Sequence, residues 1–229
     1  MKNPIIQTII AIFLTLLVLA ATGIVATSFS QITELDILNN SVTHLTMLVV
    51  SILLILAFNK GRLKGYGFRL TKNFPIVKII LISLIFGSIS SFLIILSDSA
   101  SNEFLPTKDF SFLDQIICVW LLASIAEEVL FRGLIQGFLS RFENIGIKIY
   151  SCFISLPVIV AAILFGAMHL ALFGMGVDSF TVLDIVFFGI ILGLIAGYYR
   201  EKTNSLIPAF IVHFCFNIGG SIFEIIKLF

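Results

Sequence analysis

Charge is what this chain has least of. Only 12% of its 229 residues are Asp, Glu, Lys or Arg, about half the share usual in soluble domains, so water cannot be its main solvent. Those few charges nearly cancel, to +1, which leaves no basic field to attract nucleic acid. Cysteine is equally scarce: Cys118, Cys152 and Cys215 stand apart in apolar stretches. Their spacing excludes a disulfide framework and a cysteine metal cluster, and packing is their default role. With five prolines and no Pro-, Gly- or Ser-rich linker, nothing divides the chain into soluble modules. No internal repeat of the transporter kind is visible either.

What fills the sequence instead is hydrocarbon. Mean hydropathy is +1.14, and runs of about 18 or more apolar residues, long enough to cross a bilayer at roughly 1.5 Å per residue, recur along the chain. Seven spans are predicted, at about 5–27, 42–58, 76–96, 112–138, 149–173, 183–199 and 206–226. The fold class is therefore an all-α polytopic membrane bundle, with three N-terminal spans in 1–111 and four more in 112–229. The first span follows Lys2 but exceeds the roughly 7–15 apolar residues of a cleavable signal, so it is expected to remain as a helix.

Basic residues cluster at Lys60, Arg62, Lys64, Arg69 and Lys72, whereas Glu34 with Asp36, and Asp98 with Glu103 and Asp109, make the other loops acidic. The basic side is expected to face the cytoplasm, which puts the N-terminus, the turn 141–148 and the turn 200–202 inside. Lys227 at the opposite end is a mild exception that snorkelling tolerates. Gly189, Gly193 and Gly197 recur every fourth residue in the sixth span, as Gly133 and Gly137 do in the fourth. This spacing predicts close helix contacts.

An ionisable side chain inside a span costs at least a few kcal/mol unless paired or wetted, so each such residue is a functional candidate. In the fourth span Glu128 and Arg132 stand at i and i+4 and can pair along one face. Glu127 lies about 100° further round, without a partner in its own helix, and is the candidate general base. In the fifth span His169 projects from an apolar helix with Phe165 one turn away. In the seventh, His213 and Asn217 present an imidazole and an amide side by side, a pair able to hold a developing oxyanion. A turn near 143–146 brings Glu127 and His169 to comparable depth, with Pro157 a candidate kink. His213, roughly 15 Å along its own helix, is not brought level by straight helices.

Glu127-Glu128-x-x-x-Arg132, Phe165-x-x-x-His169 and His213-x-x-x-Asn217, in that order on three spans, resemble the CAAX protease and bacteriocin-processing family of intramembrane endopeptidases. The resemblance covers about half of the chain, from Phe112 to Ile222. It implies that Glu127 and His169 activate a water, that His213 and Asn217 stabilise the tetrahedral intermediate, and that Glu128, Arg132 and Phe165 support them. The implied partners are a peptide or protein substrate, in some family members lipidated, and membrane lipids. The implied location is a prokaryotic plasma membrane, with the site open to the cytoplasm.

No cofactor is expected, since the sequence holds no His-Glu-x-x-His motif. The alternative is a catalytic zinc held by Glu127, His169 and His213. Two other readings stay open: a small proton-coupled transporter, because buried Glu and His also make proton relays, and an immunity or scaffold protein that binds without cleaving.

Overall fold

The computed structural model describes residues 3–32, 36–71, 73–97, 107 and 109–223. Lys2, Glu34, Lys72, Asp98, Glu103 and Lys227, used above to orient the chain, lie outside the described residues.

Helix α1 (Pro4–Ser30) opens on Asn3, whose side chain accepts the Ile5 amide, and is followed by α2 (Asp36–Phe58) and α3 (Ile76–Leu96). A fourth rod, α4, runs over 112–142. Its start is set by a capping box between Ser111 and Asp114. Along its length, π-helical turns (Gln115–Ala123 and Val129–Ile135) flank a short α-helical stretch, Ser124–Glu128. Such wide turns are rare and tend to occur at functional sites.

Between α4 and the next helix the chain makes an antiparallel hairpin, β1 (Gly146–Ile149) with β2 (Cys152–Ser155), in the register Gly146 to Ser155. The sequence placed 149–155 inside the fifth span. That span instead begins at α5 (Leu156–Met168), because Ser155 caps it by accepting the Val158 amide and Pro157 sits in the first turn. There proline loses no hydrogen bond, so it starts the helix rather than kinking it. A 3-10 stretch, His169–Met175, continues α5. Then follow α6 (Ser179–Thr203), capped by Asp178, and α7 (Leu206–Gly220), capped by Ser205.

Five of these stretches are long and apolar enough to cross a membrane: Pro4–Ser30, Asn39–Phe58, Ile76–Leu96, Leu156–Met175 and Ser179–Thr203. Helix α7 is apolar but shorter, and α4 is interrupted by its π turns. The architecture is an all-α membrane bundle.

Small residues set the distances between helices. A Cβ at Gly193 would stand 2.7 Å from Ala162 Cα, and one at Gly166 would meet Ile190 and Val186 at 2.5 and 2.7 Å. So α5 and α6 touch along the stripe the sequence predicted. Gly137 fits under the Tyr66 ring instead of against a helix backbone. A second close crossing, α3 on α7 through Gly87 and Gly219, carries no repeat in the sequence to announce it. The segment 63–69 is tied to the start of α7: Leu206 N–H donates to Gly67 O, and Ser205 Oγ to Arg69 O.

Candidate active site

The α-helical stretch Ser124–Glu128 aims its two carboxylates at different neighbours, as their offset around the helix requires. Glu128, 1% exposed, has its Oε1 3.0 Å from Arg132 Nη1 on its own rod and 3.0 Å from His213 Nδ1 on α7. The ion pair with Arg132 is thus present, and Glu128 has a second duty. By accepting from Nδ1 it fixes the orientation of the His213 ring and leaves Nε2 free.

Glu127 is buried and stands between imidazoles from two other helices. His213 Nε2 is 3.7 Å from Oε2, and His44 Nε2 of α2 is 3.5 Å from Oε1. His213 is therefore level with Glu127, contrary to the depth expected of straight helices. Helix α7 starts only at Leu206, where Ser205 and the 63–69 segment anchor it, and the π turns change the rise along α4.

His169 is the C-cap of α5. Its Nδ1 donates to the Phe165 carbonyl, one that the ending helix leaves unpaired (3.0 Å), so Nε2 is again free. Phe165 is the hub of the site. Its ring meets the His169 and His213 rings edge-on at 5.3 and 5.4 Å, and the Arg132 guanidinium lies 4.5 Å from its centre. Arg132 itself is fully buried, with Gly193 of α6 leaving room beside it.

Asn217 donates from Nδ2 to the Val119 carbonyl at 3.0 Å and to Ser124 Oγ at 3.1 Å. Val119 lies in the first π stretch of α4. Asn217 thus ties α7 to the rod immediately before the paired glutamates.

Phe165, His169, His213 and Asn217 line a cavity of about 170 Å³, closed by Ser90 of α3 and by Ile185, Phe188, Gly189 and Leu192 of α6. It has room for a few waters or one side chain. The Ser90 hydroxyl donates to Asp184 of α6, a buried carboxyl that the sequence reading did not single out.

The structure brings together every residue the sequence selected: Glu127, Glu128, Arg132, Phe165, His169, His213 and Asn217. It adds His44, which sequence reasoning missed although it falls within the second span. The available signal was an ionisable residue in an apolar run, following the polar Asn39-Asn40-Ser41. As to metal, among the described residues no three His, Cys, Asp or Glu side chains are grouped to hold an ion.

About 21 Å of helix separates His44 from Phe58, and about the same separates Ser90 from Ile76, whereas their other helix ends are closer. On α7, by contrast, His213 stands about 10 Å along the helix from Leu206, the end tied to the basic segment.

Residues 109–219 match a family model described as type II CAAX prenyl endopeptidase Rce1-like. No curated protein and no solved structure matches the chain.

Proposed function

We propose, from the match of residues 109–219 to the type II CAAX prenyl endopeptidase family model, a family of membrane proteases, that the chain hydrolyses a peptide bond with a water activated by Glu127. The observation that carries this is the buried Glu127 carboxylate set against free imidazole nitrogens from neighbouring helices. A buried carboxylate so placed is poised to exchange a proton.

In this reading Glu127, with His169 beside the cavity, takes a proton from water, and the hydroxide adds to the scissile carbonyl carbon. The oxyanion is held by His213 as an imidazolium, which donates from Nε2 while Nδ1–H stays on Glu128, and by Asn217. Asn217 takes part when the substrate oxygen replaces Val119 O or Ser124 Oγ as its acceptor. The proton on Glu127 passes to the amide nitrogen as the C–N bond breaks, yielding a carboxyl group and an amine. Glu128, Arg132 and Phe165 hold the histidines in place.

The substrate proposed is a peptide or protein segment at the membrane, with a lipidated C-terminal Cys-aliphatic-aliphatic-X sequence the first to try. The 170 Å³ cavity is too small for an extended chain, so a substrate must part α6 from α7 or enter beside them.

The test is mass spectrometry of peptide N- and C-termini from native-host membranes with wild type or Glu127→Ala at matched abundance. New termini that vanish with Glu127→Ala are the expected outcome. Indistinguishable profiles, from hosts and from purified protein given a fluorogenic farnesylated peptide, would overturn the protease reading in favour of a carrier or a non-cleaving partner.

A further inference from the structure

The first three spans carry none of the three sequence motifs, yet two of them reach the site: α3 lines the cavity through Ser90, and α2 meets Glu127 itself. His44 projects from α2 with its side chain only 13% exposed, and its Nε2 lies 3.5 Å from Glu127 Oε1. Its other nitrogen, Nδ1, is 2.9 Å from the carbonyl of Asn40, one turn back on the same helix. A carbonyl can only accept, so Nδ1 carries a hydrogen.

That assignment fixes what Nε2 can do. Facing an ionised Glu127, Nε2 must be protonated for the pair to attract. Facing a protonated Glu127, a neutral ring accepts the carboxyl proton. In both states one proton lies between Nε2 and Oε1. The Asn40 carbonyl, belonging to a helix turn, cannot rotate away, so the ring is held at a set angle.

The other groups facing Glu127 do not duplicate this contact. His213 approaches the opposite oxygen, Oε2, and is itself bound through Nδ1 to Glu128. His169 is tethered to Phe165 and faces the cavity. A carboxylate without His44 would be restrained on one oxygen only.

We infer that His44 is a positioning residue for Glu127: anchored by Asn40, it holds Oε1 through a shared proton, so that Oε2 is presented towards His213 and the reacting water. The inference rests on the protease reading for its consequence in catalysis, but not for the contact itself. It also gives α2, outside the residues matched to the family, a part in the site.

The test compares full-length wild type, His44→Ala and His44→Gln, purified in detergent and shown to unfold thermally within a few degrees of one another. The probe is the fluorogenic farnesylated peptide. A positioning role predicts that His44→Ala lowers kcat about 10- to 100-fold with KM nearly unchanged, as for other partners that orient a reacting group. His44→Gln, whose amide can still donate to Oε1, should recover part of that loss.

A second readout needs no substrate. The Glu127 carboxyl and carboxylate infrared bands, assigned by difference against Glu127→Gln, should shift in His44→Ala and shift less in His44→Gln. If His44→Ala keeps kcat within about threefold of wild type with the bands unmoved, or if both variants change only KM, the inference is overturned. If wild type itself shows no Glu127-dependent cleavage, the protease reading has failed, and the infrared bands alone decide on His44.

Discussion

At the scale of single residues, the two adjacent glutamates answer to different physics. Glu127 faces histidines on other helices, so its loss should be chemical. Glu127→Gln keeps volume and should lower kcat by about 100-fold or more with a thermal unfolding temperature close to wild type, measured on the same purified sample. Glu128 and Arg132 form a pair that is almost fully buried, and removing one partner leaves the other charge stranded in low dielectric. Arg132→Ala should therefore destabilise by about 3–5 kcal/mol. It should appear as lower abundance and earlier unfolding, and the loss of the guanidinium over Phe165 adds to it. A result in which Arg132→Ala folds as well as wild type would show that the pair is not holding the site together.

At the scale of elements, the site depends on how closely α5 and α6 approach. Gly193 faces Ala162 and the Arg132 guanidinium, and an added Cβ would come within 2.8 Å of Ala162 Cβ. Helices cannot yield that distance without separating, so Gly193→Ala should cost about 1–3 kcal/mol by overpacking. Gly174→Ala, where a Cβ meets nothing, is the matched control in the same thermal assay. The α4 rod makes a similar point. Asn217 binds a carbonyl in a π turn, so its amide both secures α7 and stands ready for an oxyanion. Asn217→Ala should therefore lower both unfolding temperature and kcat, each measured on the same purified sample.

For the whole molecule, the first question is which side the site serves. Cys152 is exposed in the hairpin, while Cys118 and Cys215 are buried, so the native chain has one cysteine suited to labelling. The hairpin follows Arg141 on the basic side, and that side is expected to be cytoplasmic. A membrane-impermeant maleimide should then label Cys152 in inverted vesicles and not in intact cells; labelling in intact cells would invert the topology. The second question is metal. Activity should survive chelation and dialysis, and stoichiometric zinc in active protein would refute the water-activating carboxylate as described.

The sequence by itself determined what a single helix can determine. Hydrophobic length announced a bundle of membrane helices, though not where the fifth begins, and a spacing of four residues paired Glu128 with Arg132 and turned Glu127 away from them, because side chains on one helix are fixed relative to one another by its period. It also set Phe165 beside His169, and His213 beside Asn217. The tertiary structure decided everything that depends on the register between helices: that His213 is level with Glu127, that Glu128 orients His213, that Asn217 reaches Val119, and that His44 closes on Glu127. Register is set by where caps such as Ser155 and Ser205 start each helix, by the π turns of α4, and by how far Gly87, Gly166, Gly193 and Gly219 let backbones approach. None of these offsets follows from the period of any one helix, and a shift of one residue would carry His44 about 100° away from the carboxylate it holds.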